Sequence, residues 1–137
     1  MILAGCNKHY KIRPPNFDSF NNHLIIQKMK NKETISVFQF NNRVLHMNLD
    51  DISHEESLAA PQGGGNSLNW VIGHMLVSRD DIFESIGMPR LCSAELTENY
   101  KRGSRNISPD NATNVKELIR MFDESQKPLV DKISELD

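Results

Sequence analysis

The chain's 137 residues, 38% hydrophobic and 25% charged, suffice for one domain with its own core and no more. A formal net charge of −2 leaves no basic footprint, which argues against nucleic acid as a partner, and no apolar run approaches the roughly 20 residues of a transmembrane helix. Two cysteines, Cys6 and Cys92, do not make a disulfide framework and fit a reducing, cytoplasmic setting.

The first 30 residues read poorly as structure. Pro14-Pro15 forbids a helix at that point, Asn21-Asn22 is loop chemistry, and Leu24-Ile25-Ile26 is too short to bury much. Residues 1–28 therefore read as a leader or a misassigned start, largely irregular. The domain spans 29–137, opening on Met29-Lys30-Asn31-Lys32-Glu33, which resembles a bacterial protein start. Leu3-Ala4-Gly5-Cys6 matches a lipoprotein processing site, but only five residues precede the cysteine. An export signal needs an apolar stretch of about 7–15 residues there, so a lipid anchor on Cys6 requires a true start upstream of Met1.

From Lys32 the apolar residues fall at Ile35, Phe38, Val44, Leu45 and Leu49, with Val37, Phe40 and Met47 besides. That spacing predicts an amphipathic helix of about 17 residues. Asp50-Asp51-Ile52 ends it. Ser53 and Glu56 then match a capping box, in which serine and glutamate three apart satisfy each other's backbone, so a short helical turn should run through Leu58. Pro61-Gln62-Gly63-Gly64-Gly65 is a flexible connector; a nucleotide loop would need a following Lys-Ser/Thr and a preceding strand.

A second long helix is predicted from about Ser67 to Ile86, capped by Asn66 or Ser67. Gly87 suits a left-handed C-cap, and Pro89 prevents continuation. Residues 88–108 form a long loop with one turn of helix around Ala94–Tyr100 and a small basic patch of Lys101, Arg102 and Arg105. The third long helix starts after Ser108-Pro109 or at Thr113/Asn114. Its stripe is Val115, Leu118, Ile119, Phe122, Leu129, Val130, Ile133 and Leu136, with Pro128 predicted to kink or split it. The fold class is all-α: an antiparallel bundle of three long helices.

On a helical wheel of the second long helix, Leu68, Val71, Ile72, Met75, Ile82, Phe83 and Ile86 share the core arc. His74 lies at the edge of that arc, on a stripe with Trp70, Ser78 and Asp81, and Gly73 beside it allows close approach to the backbone. Three readings stay open: a boundary residue hydrogen-bonded to a neighbouring helix, a metal ligand, or a general base near Ser78 or Asp81. No His-x-x-x-His or Glu-x-x-His occurs to complete a site within one helix. His9 and His23 lie in the leader, His46 near the polar side of the first helix, and His54 in the capping segment. Cys92 reads as an inert loop thiol.

Phe40-Asn41-Asn42-Arg43-Val44-Leu45, Ile52-Ser53-His54-Glu55-Glu56, the glycine link and Ser67-Leu68-Asn69-Trp70-Val71-Ile72-Gly73-His74-Met75-Leu76 together resemble the DinB/YfiT-like superfamily of four-helix bundles. Asn114 to Leu136 suits its third helix. The resemblance implies an up-down-down-up bundle, often a homodimer, with a divalent metal (zinc, nickel or iron) held by three histidines. The first of these maps onto His74; the other two form a His-x-x-x-His pair on a fourth helix. Active relatives include S-transferases and an isomerase that use a low-molecular-weight thiol, so a metal-dependent transferase or hydrolase is implied for the full-length form. On this reading Trp70, Ser78 and Asp81 are pocket-wall candidates by helical geometry. The chain stops where the fourth helix should begin, which suggests a truncated relative without turnover of its own. The alternative is a metal-free helical module that dimerises through its exposed apolar groove.

Overall fold

The computed structural model describes residues 19–49, 51–104 and 107–136, with side chains from Lys30 onward in those spans. The described residues are all-helical, without strands: α1 (Ser19–Leu49), α2 (His54–Leu58), α3 (Leu68–Ser85), α4 (Ala94–Tyr100) and α5 (Val115–Glu135), with a 3-10 turn at Pro109–Asn111. The three expected long helices are present, joined by the two short ones expected at the capping box and around Ala94. Among the described residues no helix is long and apolar enough to cross a membrane.

The local signals explain most boundaries. Ser53 caps α2 and accepts from the Glu56 amide, while Glu56 accepts from the Ser53 amide, a complete capping box. The Ser53 amide first, and the Ser53 hydroxyl second, stabilise the Glu56 carboxylate by hydrogen bonding and hold its pKa below the ordinary value. Ser67 caps α3, Ser93 caps α4 and Asn114 caps α5, each accepting a backbone N–H with its side-chain oxygen. Gly87 ends the α3 region at φ 75°, the left-handed conformation expected of it, and Asp51 turns the chain out of α1 at φ 70°.

Two boundaries differ from the sequence reading. α1 begins at Ser19, so residues 19–28, grouped on sequence with an irregular leader, are helical; residues 1–18, with Cys6 and His9, lie outside the described residues. α5 runs unbroken from Val115 to Glu135 with Pro128 inside it, rather than splitting there. One backbone bond is lost at the proline, and packing of the flanking Leu129 and Ile133 holds both halves in one helix.

α5 is the element on which the others assemble. α1 and α3 both pack against it, α2 touches both α3 and α5, and α4 packs against α3. Val115, Leu118, Phe122, Leu129 and Ile133 of α5 are all buried, each a stabilisation of about 1.5–3 kcal/mol by transfer from water. They meet Ile72, Leu76 and Val77 of α3 and Leu45 and Leu49 of α1 at one end, and Phe83 with the half-buried Ile35 and Phe38 at the other.

The apolar face of α1 is only partly used. Val37, Phe40, Val44 and Met47 are 57%, 63%, 37% and 74% exposed, and Val71 of α3, assigned on sequence to the core, is 38% exposed. The reason is geometric. α3 buries the face carrying Asn69, Gly73, Leu76, Val77 and Asp80 among its neighbours, which rotates Leu68, Val71 and Met75 toward α1. There they line an open groove of about 310 Å³ with Phe40, Val44 and Leu49.

Candidate functional site

The site is built on the middle of α3. Gly73 is packed directly under Tyr100 of α4, whose ring occupies the space a Cβ at position 73 would need. The fully buried Tyr100 is held at both ends. Its hydroxyl donates to Asn69 Oδ1 (2.8 Å) and accepts from the Thr113 amide (3.0 Å), while Asn69 Nδ2 donates to the Thr113 carbonyl (2.9 Å). Its carbonyl sits 2.9 Å from Nδ1 of His74. A carbonyl only accepts, so Nδ1 carries a proton, and in the neutral tautomer this selects, Nε2 keeps its lone pair.

His74 is half-buried and stacked on Trp70, ring centroids 4.7 Å apart and planes 19° from parallel. Trp70 is itself fixed by donating Nε1–H to Ser104 Oγ at 2.8 Å. The imidazole is thus held in one orientation by a stacked ring and a carbonyl. Ser78, one turn on, shares with His74 a pocket of about 210 Å³ between α1, α3 and α5. Trp70 supports the histidine from behind without lining that pocket. Asp81 lies elsewhere: it is exposed and paired with Arg90 (2.8 Å). The fold therefore brings His74, Trp70 and Ser78 together and places Asp81 apart.

Asp80, fully buried beside Asp81, ties the following loop to α3. It accepts from Nε of Arg90 (3.0 Å) and from the amides of Leu91 and Cys92. The Cys92 thiol is pushed up to about 12, chiefly by burial and secondarily by the Asp80 carboxylate, so it stays protonated and inert as expected for a lone loop thiol.

The residue that the sequence reading passed over is Arg79. It is only 3% exposed, and its guanidinium lies 3.6 Å from the Phe122 ring centroid, with Phe38 5.9 Å away. Nη1 donates to the Phe122 carbonyl (2.9 Å) and to Ser125 Oγ (2.8 Å). Burial pushes its pKa down to about 10, partly countered by the charge of Asp123. The signal was an arginine set among α3's apolar residues; its partners lie more than 40 residues away on α5, out of reach of any local pattern.

The other two histidines with described side chains, His46 and His54, are committed elsewhere. His46 meets Asp123 at 2.7 Å, and His54 Nδ1 accepts weakly from the Val115 amide at 3.4 Å. Among the described residues no group of three or more His, Cys, Asp or Glu side chains is placed to hold a metal ion. His74 offers one oriented nitrogen, and a divalent metal there would take its other ligands from outside the described residues. On their own, the described residues do not fit the three-histidine centre that the resemblance implies.

Comparison with family models, with curated proteins and with solved structures finds no match.

Proposed function

We propose that this chain acts as a helical docking module that pairs with a second copy through the groove between α1 and α3. The observation that carries the reading is the stripe Val37, Phe40, Val44 and Met47. It is exposed along one side of α1 at the alternating three- and four-residue spacing of a helix–helix seam. With Val71 it leaves roughly 450 Å² of apolar side chain in water, within the 300–600 Å² of the largest patch on a typical monomer. Two such faces give about 900 Å² before any polar rim, and a rim brings the total to the roughly 1,200 Å² at which specific interfaces begin. An isologous contact lets each α1 be both wall and occupant: Phe40 of one copy enters the groove beside Leu68, Val71 and Met75 of its partner.

A test is an environment-sensitive dye on Phe40→Cys in a Cys6→Ser, Cys92→Ser background. Its emission shifts to the blue as protein concentration rises if the stripe pairs. Emission independent of concentration over the micromolar range contradicts it.

A second reading is favoured by the orientation of His74. Metal-ligating histidines generally donate one ring nitrogen to a carbonyl or carboxylate, leaving the other for the metal, and the Tyr100 carbonyl supplies that hold here. This supports a DinB-like divalent-metal protein in which a docking helix brings the remaining ligands to Nε2 of His74, with a low-molecular-weight thiol as partner substrate of a transferase or hydrolase. The His74 pocket adjoins the docking groove, Asn41 and Met75 lining both, which puts the imidazole near whatever helix fills the groove. Zinc or nickel bound per chain at neutral pH, lost in His74→Ala, is the expected result. Metal at background level in both proteins removes this reading and leaves the docking reading standing.

A further inference from the structure

The guanidinium of Arg79 is buried without a carboxylate partner. No acidic oxygen among the described residues lies within ion-pair distance of it. The nearest influence, Asp123, is turned to His46 and Asn42. Nη1 is spent on α5, whereas Nε and Nη2 make no hydrogen bond to the described residues and are not among the side-chain atoms sealed from solvent. Nε–H and Nη2–H form the edge of an arginine that takes a carboxylate side-on with two parallel bonds. Buried arginines are ordinarily paired, because a charge drawn out of bulk water without a counter-charge is costly.

Arg79 lines the 210 Å³ pocket, and its companions there suit the same ligand. Phe38, Met75 and Ile82 give apolar walls. Asn41 and Ser78 are exposed, with side chains that hold no hydrogen bond to the described residues, and His74 presents Nε2. Among the described residues no acidic side chain lines the space, and Arg79 brings a positive charge to its wall. Its volume of about 210 Å³ is room for a small molecule.

We propose that this pocket binds a small carboxylate with an apolar body, its carboxylate gripped side-on by Nε and Nη2 of Arg79 and its body lying against Phe38 and Ile82. The inference stands on Arg79 and the pocket alone and does not rest on the docking or the metal reading.

The test is a titration of the full chain with butyrate and benzoate, in the presence of a chelator, followed by amide chemical shifts. Benzamide, the neutral counterpart of benzoate, is the control. Carboxylates should move the resonances of residues around Ser78 and Arg79 saturably, and benzamide should bind at least tenfold more weakly. Arg79→Gln should weaken benzoate at least tenfold, and Arg79→Lys, which keeps charge but loses the fork, should restore little of it. Because Arg79 also packs between two phenylalanines, Ser78→Leu is the second variant: Ser78 is exposed, so the fold survives while the pocket is filled, and benzoate binding should fall as far. Benzamide binding as tightly as benzoate, Ser78→Leu binding benzoate unchanged, or shifts confined to surface lysines would each overturn the proposal.

Discussion

The ring of Tyr100 stands where the Cβ of any residue other than glycine at position 73 would have to be. This one contact fixes α4 against α3, and through the Tyr100 carbonyl it also fixes the direction of His74. Gly73→Ala should therefore destabilise the fold, although alanine is the better helix former. Overpacking costs about 1–3 kcal/mol and the helical preference returns up to about 1 kcal/mol. The ring cannot step aside, since its hydroxyl is bound to Asn69 and Thr113. Urea denaturation checks this: the midpoint falls in Gly73→Ala, and in a Tyr100→Ala background the same substitution becomes neutral or stabilising. Additive effects of the two changes would show that the contact is not what they share.

Tyr100→Phe keeps the ring and removes only the hydroxyl. The Thr113 amide and the buried Asn69 carbonyl then lose a partner each, which should cost about 1–3 kcal/mol. Thermal unfolding should show a lowered midpoint, with near-ultraviolet circular dichroism of Trp70 little changed. A midpoint equal to that of the parent protein would mean that the Asn69–Tyr100–Thr113 network contributes nothing net.

The local grammar of the chain was readable. The Ser53/Glu56 capping box, the Ser67 cap, the left-handed Gly87 and the α5 stripe all rest on residues within one turn of each other, and each stands in the structure as the spacing predicts. The packing of α3 was not readable in the same way. Counting apolar residues put Val71 in the core, whereas the helix buries Asn69, Arg79 and Asp80, polar groups that bond to Thr113, Phe122 and Leu91 on other segments. A hydrophobic periodicity cannot see a buried face that is polar and partnered from afar. His74 was found by its position beside Gly73, but its tautomer depends on the Tyr100 carbonyl, and Arg79, though set among apolar residues of α3, takes its partners from α5.

Cys92 offers a pH test with a definite sign. Its thiol is raised to about 12 in the folded protein by burial, from an ordinary value near 9. The folded chain therefore keeps its proton where the unfolded chain loses it, so this group's contribution to stability is full below about pH 9 and is lost as pH rises toward about 12. In a Cys6→Ser background, a thiol reagent at pH 9 should label Cys92 slowly in buffer and at least tenfold faster in denaturant. Equal rates would show that the thiol is not shielded in the folded chain.

The central claim, that the chain pairs with a second copy through the exposed stripe of α1, is tested most directly by sedimentation equilibrium. The measurement compares the parent protein with Phe40→Asp, a substitution at a 63% exposed position that leaves the core untouched. The account predicts a concentration-dependent dimer for the parent and a monomer for Phe40→Asp, with identical far-ultraviolet circular dichroism. A parent that stays monomeric at tens of micromolar, or a dimer that Phe40→Asp leaves intact, would contradict it.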